Sequence, residues 1–262
     1  MSKGKYYFSK SLEKGLKILS LFNGDTPVLT QSQIAKTLDL NMTSTYRYIN
    51  TLEELGYLEK DAKTKEIRPS ILCLMFFNNL MQATDRLRLI KEAVDRVHRE
   101  NNISIDVVLV ADDTLKRLYH REAQETLTYS VPDNSKNCLH NTALGKAYLS
   151  GLPENEMLAR IDKLTLSVRT EKTITAKKRL VKELKAIKKC GYAMAEEEYL
   201  SGLLAIGAPL INPVSGVAVG AVSFDFSVLQ HRKDEIESKY ADQVVKMAGL
   251  LSEMLPTNST RN

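Results

Sequence analysis

The hydrophobic positions of the first eighty residues repeat with the spacing of short amphipathic α-helices. The first helix is expected to begin with Ser11 as its N-cap and to stop at Asn23-Gly24. Its apolar positions are, in order, Leu12, Leu16, Leu19 and Phe22. A second helix is predicted after Thr30, because Gln33 three residues later completes a capping box.

The third helix separates two kinds of side chain along the stretch NMTSTYRYINTLEELG, residues 41–56. Asn41 is a suitable N-cap, and Gly56 is a suitable left-handed residue at the C-terminus. Helical spacing predicts an inward face at positions 45, 48, 49, 52 and 55. The outward face then carries the polar side chains of Thr43, Tyr46, Arg47 and Asn50.

A basic hairpin follows, with short strands predicted at 57–60 and 66–68 around the tip DAKTK. Three helices and such a hairpin form a winged helix-turn-helix. One α-helix fits the major groove, where its side chains read base edges, while basic groups on a wing contact phosphates. The predicted DNA-binding residues are Thr43, Ser44, Tyr46, Arg47, Asn50, Lys63, Lys65 and Arg68.

Residues 85–100 are predicted to form a separate helix with a narrow apolar stripe. The stripe steps by three and four through Leu87, Ile90, Val94 and Val97. This spacing is typical of a helix that packs along one line against a helix of a second protomer. It is equally compatible with an ordinary amphipathic connector, and both interpretations stay open.

Strand-like runs appear only after residue 102. SIDVVLVA (104–111) and TLKRLYHR (114–121) predict a hairpin around Asp112-Asp113, and ETLTYSV adds a strand. Helices are expected near 143–151, 154–162 and 176–190, and strands near 192–197, 203–211 and 217–226. The buried stripe of a last helix is predicted to be Ile236, Tyr240, Val244, Met247 and Leu251. These patterns predict an α+β fold with an antiparallel sheet.

Composition narrows the class of protein without naming a function. With 43% hydrophobic and 26% charged residues, the chain is typical of globular proteins, and its net charge of +5 is compatible with an acidic partner such as DNA. Its longest apolar runs are too short to span a bilayer, and its three cysteines form no CxxC pair, so we expect a cytoplasmic protein with no membrane partner.

Candidate catalytic and metal-binding patterns are weak. Cys138 and His140 lack further ligands at zinc spacing, so no metal and no cofactor are expected. The sequence contains no GxSxG, no GxGxxG before a helix and no Walker sequence. We therefore predict no catalytic residues.

Several motifs in order resemble the IclR family of bacterial transcription regulators over nearly the whole chain. The matching stretches are SLEKGLKILSLF (11–22), STYRYINTLEELGYLEKD (44–61), HNTALGKAYLSGL (140–152), GYAMAEEEYLSGLLAIGAPL (191–210) and VGAVSFDF (219–226). The resemblance implies a winged helix-turn-helix (1–78), a linker helix (79–101) and a C-terminal domain similar to GAF domains (102–262) that binds a small metabolite. It also implies homodimers, often paired into homotetramers, on palindromic operators.

The effector site is expected where HNTALGKAYLSGL opens a helix, because the first N–H groups of a helix attract an anion. Carried over from family members that bind small keto acids, the candidate effector-binding residues are Ala143, Leu144, Gly145, Ala195, Ala205, Ser223 and Asp225. Alanine at 195 and 205 removes polar groups and is expected to open apolar volume, which favours a larger, partly apolar effector such as an aromatic or otherwise bulky metabolite. The alternative is that these positions are merely packed.

The sequence thus predicts a regulator of a metabolic operon whose operator affinity is controlled by a small effector, and the resemblance favours a repressor. Two rival hypotheses remain. The first is a DNA-binding module fused to a catalytic domain, which requires a paired nucleophile and base. The second is an architectural or protein-interaction module, whose DNA binding would ignore both sequence and metabolites.

Overall fold

The computed structural model describes residues 8–23, 26–83, 85–124 and 138–255. The chain divides into two compact units, Met1–Thr84 and Asp85–Asn262. The predicted strand ETLTYSV, Gly24 and the polar end PTNSTRN lie outside the described residues. The predicted boundaries at residues 78 and 101 stay a prediction.

The first unit contains helices and a small antiparallel sheet in which the strands lie in the order β1-β3-β2. Its helices are α1 (Lys10–Leu19), α2 (Gln31–Thr37), α3 (Met42–Glu54) and α4 (Ile71–Ala83). Its strands are β1 (Leu29–Thr30), β2 (Leu58–Lys60) and β3 (Glu66–Pro69). The winged helix-turn-helix order predicted from the sequence is confirmed.

Most of the predicted helix ends are confirmed. Thr30 and Gln33 form the capping box of α2, and the Asn41 side chain accepts the N–H of Ser44 at 2.7 Å at the start of α3. Gly56 has a φ of +78°, which a residue without Cβ adopts at little cost. The predicted N-cap of α1 is wrong. The side chain of Ser9, not that of Ser11, accepts a backbone N–H in the first turn.

The core of this unit differs in part from the predicted inward faces. Its fully or largely buried side chains are Ile18, Ile34, Ile49, Leu52, Leu58 and Ile67. Leu12 and Leu16 are 63% and 55% exposed, because α1 buries Ile18, on a different side of the helix. Leu55, predicted to point inward, is 57% exposed at the end of α3. Periodicity located the helices but did not decide which side each one buries.

Helix α4 was not predicted. It begins directly after β3, and its run ILCLMFF is apolar all round, so it lacks the amphipathic period that identifies a surface helix. Ser70 connects α4 to the turn that follows α3. The Ser70 hydroxyl donates to the Gly56 carbonyl, and the N–H of Leu72 donates to the Ser70 hydroxyl at 3.0 Å.

The second unit is built on an antiparallel sheet with strand order β5-β4-β8-β7-β6 in its described part. Its strands are β4 (Ser104–Ala111), β5 (Thr114–Arg121), β6 (Ala193–Glu196), β7 (Leu203–Ile211) and β8 (Ala218–Ser227). Its helices are α5 (Asp85–Asn101), α6 (Ala143–Ser150), α7 (Glu154–Lys163), α8 (Lys177–Cys190) and α9 (Lys233–Met254). The predicted hairpin is confirmed, and Asp112 and Asp113 form its turn with φ values of 50° and 55°.

Alternate residues of each strand face opposite layers of this unit. One face packs against α5 and α9 through residues such as Ile206 and Phe224. The opposite face packs against α6, α7 and α8 through residues such as Ala193 and Ala221. The predicted buried stripe of α9 is confirmed at all five positions.

The apolar stripe of α5 lies within this core. Ile90 and Val94 are 3% and 0% exposed, and Leu87 and Val97 pack against the same cluster. The stripe is therefore occupied by its own unit, and the interpretation of α5 as a seam between protomers is wrong. None of the helices in the described ranges is long and apolar enough to cross a membrane.

Candidate functional site

The outward face of α3 is accessible in the structure. Thr43, Tyr46 and Arg47 are exposed, and Ser44 and Asn50 are half-buried. The buried residues of the same helix are Thr45, Ile49 and Leu52, which hold the opposite side against the core. The side chains proposed to meet DNA therefore project from a helix fixed by its apolar side.

The tip of the β2–β3 hairpin is ordered by one carboxylate. Asp61 Oδ1 accepts the N–H groups of Lys63 at 2.7 Å and Thr64 at 2.8 Å. These two hydrogen bonds lower the pKa of Asp61, because they favour its charged form. Lys65 has a φ of +61°, and its ammonium donates to the Ala62 carbonyl at 2.7 Å. The lysines thus sit on a turn of defined shape.

Five of the eight predicted DNA-binding residues line two separate grooves. Tyr46 and Asn50 share one groove with Lys65 of the hairpin, where Lys60 Nζ lies 5.7 Å from the centroid of the Tyr46 ring. Ser44 and Arg47 border another groove with α1. Arg68 forms an ion pair with Glu59 at 3.2 Å, and both side chains are exposed. Arg68 must exchange this partner to reach a phosphate.

The second candidate site is a small cavity where the N-terminus of α6 meets β6, β7 and β8. The Thr142 hydroxyl accepts the Gly145 N–H at 3.0 Å and donates to the Cys138 carbonyl at 2.7 Å, which holds the first turn of α6 in place. The described residues lining the cavity are Asn141, Thr142, Ala143, Leu144, Ala195, Glu198, Tyr199, Leu203, Ala205, Ser223 and Asp225. The structure thus brings together the predicted effector-binding residues, except Gly145.

Gly145 does not line the cavity. A glycine occupies position 145 because the helix packs closely against neighbouring backbone. A Cβ at this position would lie 2.3 Å from Leu139 Cα and 2.5 Å from Leu139 O. The first turn of α6 therefore approaches the backbone of Cys138 and Leu139 more closely than any other residue type allows.

Gly145→Ala is expected to destabilise the protein by about 1–3 kcal/mol, because the added methyl group forces backbone apart. Thermal unfolding followed by circular dichroism measures the change. The matched control is Gly249→Ala in α9, where a Cβ meets nothing within 4 Å. That substitution should stabilise by about 0.5–1 kcal/mol, since glycine is unfavourable inside a helix. Equal melting temperatures for the two variants would contradict the packing argument.

The cavity is smaller than the sequence predicted. Its volume is about 10 Å³, which is enough for about one water molecule. Ala143, Ala195 and Ala205 pack against one another and are at most 5% exposed. The expectation that alanine at 195 and 205 opens volume is therefore wrong for this structure, because the small side chains instead let α6 approach the sheet.

The cavity walls carry buried polar atoms without partners. Asn141 is fully buried, and neither its Oδ1 nor its Nδ2 has a hydrogen-bond partner among the described residues. The same holds for Asp225 Oδ2 and Glu198 Oε2. Buried polar groups are nearly always hydrogen-bonded, so such a cluster indicates a place where a ligand or water supplies the partners.

Asp225 lies in a network of acidic groups that the sequence did not reveal. The Ser223 hydroxyl donates to its Oδ1 at 2.9 Å. Burial, followed by the charge of Asp106 on β4, raises the pKa of Asp225 well above its usual value. Asp106 is itself fully buried and binds Arg117 Nε at 2.8 Å, with His120 Nδ1 3.1 Å away. The signal in the sequence that could have indicated this buried acidic network was the single aspartate inside the apolar strand SIDVVLVA.

Lys146 is the second group missed from the sequence. It is fully buried in α6, and its ammonium donates to Glu183 at 2.6 Å, to Glu198 at 2.5 Å and to the Met194 carbonyl at 3.0 Å. Burial raises the pKa of Glu198 despite this contact. A lysine within the otherwise apolar helix ALGKAYLS was the available signal. This ion-paired group anchors Glu198, which borders the cavity.

The sequence predicted no metal site at Cys138 and His140. Among the residues that the structure describes, no group of three or more His, Cys, Asp and Glu side chains could hold a metal ion. Cys138 and His140 are both buried, and His140 Nε2 lies 3.1 Å from the Ser167 carbonyl. Burial lowers the pKa of His140, which favours its neutral form.

Two family profiles match the chain. The profile for the bacterial transcriptional regulator IclR C-terminal domain matches residues 79–253, and that for the IclR helix-turn-helix domain matches residues 11–62. The transcriptional regulator KipR of Bacillus subtilis is 26% identical over 242 residues, covering 92% of this chain and 95% of that protein. These relatives are regulators, which favours a transcriptional regulator over the enzyme alternative.

Solved structures share the fold. An IclR transcriptional regulator from Alicyclobacillus acidocaldarius aligns with a TM-score of 0.82 at 18% identity, covering 96% of this chain and all of that one (100%). An IclR homolog from Microbacterium hydrocarbonoxydans, complexed with 4-hydroxybenzoate, aligns with a TM-score of 0.69 at 18% identity, covering 93% of this chain and 96% of that one.

Proposed function

The chain belongs to the IclR family of bacterial transcriptional regulators, and we propose that it represses a metabolic operon by binding operator DNA under the control of a small effector. The observation that carries the proposal is the exposed polar face of α3 beside the ordered basic hairpin. A face of this width and polarity fits the major groove.

Each side chain has a role that its chemistry supports. Arg47 contacts guanine, since its guanidinium offers two parallel donors, and Asn50 pairs with adenine. Thr43, Ser44 and Tyr46 supply hydroxyl groups for base edges or phosphates. Lys63, Lys65 and Arg68 contact phosphates, which increases affinity without reading sequence.

The effector occupies the cavity at the N-terminus of α6, where Ala143 and Leu144 offer backbone N–H groups to an anion. The related structure with bound 4-hydroxybenzoate supports a small organic ligand. The bulky or aromatic effector stays a prediction, and it requires the walls of the 10 Å³ cavity to move apart. Control of DNA affinity requires the effector to bind two conformations with free energies that differ by about 1–3 kcal/mol.

The protein acts as a homodimer or homotetramer on a palindromic operator. Support comes from exposed apolar side chains of α4, since exposed apolar surface marks association sites. These side chains are Ile71, Leu74, Met75, Phe76 and Leu80. Helix α4, rather than the buried stripe of α5, offers apolar surface for a second protomer.

Selection of genomic DNA fragments by the purified protein tests the function. The selected fragments should share a palindromic site upstream of one operon, and a metabolite of that operon should change the affinity measured by gel shift. A protein that retains no fragment preferentially, even at low ionic strength, would overturn the proposal.

Replacing Lys63 and Lys65 together by alanine is expected to weaken binding to all DNA sequences about equally. Each phosphate contact that is lost lowers the number of counterions released on binding. The magnitude of the slope of log K against log salt concentration should therefore fall by up to about two. Fluorescence anisotropy at several salt concentrations measures this slope. The matched control replaces Lys182 and Lys189, two exposed lysines of α8, and should leave the slope unchanged. A loss confined to one DNA sequence would contradict the assignment.

A further inference from the structure

We propose that the cavity at α6 selects an effector with a protonated amine next to a carboxylate, that is, an amino acid, with its ammonium held by Asp225 and Glu198. This inference rests on the proposed function, because it names the ligand class of the same cavity. The carboxylate then lies at the N–H groups of Ala143 and Leu144.

The charge of the described lining carries the first part of the argument. The lining contains two acidic side chains, Asp225 and Glu198, and no Lys, Arg or His side chain. A ligand whose only charge is a carboxylate would meet no basic side chain here and would favour the neutral forms of both acids. A ligand with an ammonium group compensates them, since attraction between opposite charges is strong where water is excluded.

The nearby cations are already engaged. Arg117 binds Asp106 at 2.8 Å, and Lys146 binds both Glu183 and Glu198. Each of these two basic side chains is thus paired with at least one carboxylate, and the charge of Lys233 also acts on Glu198. No basic side chain is among the described residues that line the cavity, so its walls supply acceptors for an ammonium group and no cation for a carboxylate.

The unsatisfied atoms match an amino acid group by group. An ammonium has three N–H donors, and the described cavity lining offers the unpartnered acceptors Glu198 Oε2 and Asn141 Oδ1. It also offers the Asp225 carboxyl group, whose hydrogen bond with Asp106 requires the proton that an ammonium would displace. A carboxylate needs donors, and the buried donor without a partner is Asn141 Nδ2. The first N–H groups of α6 are further donors for the carboxylate, because they have no acceptor within the helix.

The protonation of Asp225 provides a distinctive readout. Burial and the charge of Asp106 raise the pKa of Asp225, so this carboxyl group favours its neutral form. An ammonium ion beside it favours the charged form. Binding of an amino acid should therefore release a proton from Asp225 to the buffer.

Glu198 connects the cavity to the space that a side chain of the ligand requires. It lines both the 10 Å³ cavity and a groove of about 610 Å³ between α8, β6 and the start of α9. Glu198 therefore forms part of the wall shared by the two volumes. The ligand head group is thus recognised in the cavity, and its side chain extends toward the groove.

Isothermal titration calorimetry of the full chain with the standard L-amino acids, each paired with its 2-oxo acid, tests the proposal. At least one amino acid should bind at least about tenfold more tightly than its 2-oxo acid, because charge-assisted hydrogen bonds are lost with the amine. Its binding enthalpy should depend on the ionisation enthalpy of the buffer. Absence of binding by all amino acids, or equal or tighter binding of the 2-oxo acids, would overturn the proposal.

The variant Asp225→Asn should weaken binding of the selected amino acid at least about tenfold and remove the dependence on buffer. Asp234→Asn, at an exposed aspartate, is the control and should change neither. If Asp225→Asn fails to fold, the buffer dependence of the parent protein decides instead. If a 2-oxo acid alone released operator DNA, the effector would need no amino group, and this inference would be overturned while the proposed function stayed intact. Failure of the protein to bind DNA would instead overturn the proposed function itself.

Discussion

Replacing Arg47 by alanine is expected to abolish specific operator binding while leaving the helical content intact. The side chain is exposed on α3, so its removal disturbs no buried contact of the first unit. A bidentate contact from arginine to guanine contributes about 1–3 kcal/mol of discrimination, and a dimer on a palindrome loses it at both half-sites. Gel shift on specific and scrambled DNA, together with far-ultraviolet circular dichroism, measures both quantities.

A matched control separates base reading from general charge. Arg88→Ala removes an exposed arginine of α5 in the other unit, which pairs only with exposed acids of its own helix. It should leave specific binding unchanged. Unchanged specific binding of Arg47→Ala would remove Arg47 from the interface, and an equal loss on specific and scrambled DNA would make it a phosphate contact instead.

Replacing Lys146 by methionine is expected to destabilise the second unit by about 3 kcal/mol. The substitution keeps a long side chain but removes the ammonium that Glu183 and Glu198 share. Removing one partner of a buried ion pair leaves uncompensated charge, which is among the most costly single changes. Glu198 is then expected to take up a proton, so the loss should be smaller at acidic pH. Urea unfolding at two pH values measures it.

An exposed ion pair provides the comparison. Lys185 binds Glu154 at 2.7 Å, with the two side chains 54% and 61% exposed. Lys185→Met should cost less than about 1 kcal/mol, because water screens such pairs. If the Lys146 and Lys185 variants were equally stable, the buried ammonium would contribute nothing beyond a surface contact.

The winged helix-turn-helix was predictable because its signals are local. The capping box of Thr30 and Gln33, the N-cap at Asn41 and the left-handed Gly56 each depend on residues a few positions apart. These signals set the ends of α2 and α3, and the period of α3 then separates its polar and apolar faces. No long-range contact is needed for that inference.

The errors share a different origin. The stripes of α1 and α5 are periodic, but period alone does not reveal what a helix meets. Leu12 and Leu16 of α1 are exposed, and Ile90 and Val94 of α5 contact their own sheet and α9. An apolar stripe predicts that another part of the protein or a partner covers that side of the helix. Only the arrangement of the other helices and strands shows which one does.

The sequence by itself determined the order of most elements and the polar face of α3, because each rests on residues close in the chain, and its motifs, each a short stretch, determined the family. Only the tertiary structure decided the character of the cavity. Asp106 of β4 acts on Asp225 of β8, and Lys146 of α6 binds Glu183 and Glu198 from other parts of the chain, all in buried surroundings where a charge interacts strongly with its neighbours. Alanines 195 and 205 likewise close the cavity because α6 can approach them, which no local pattern records.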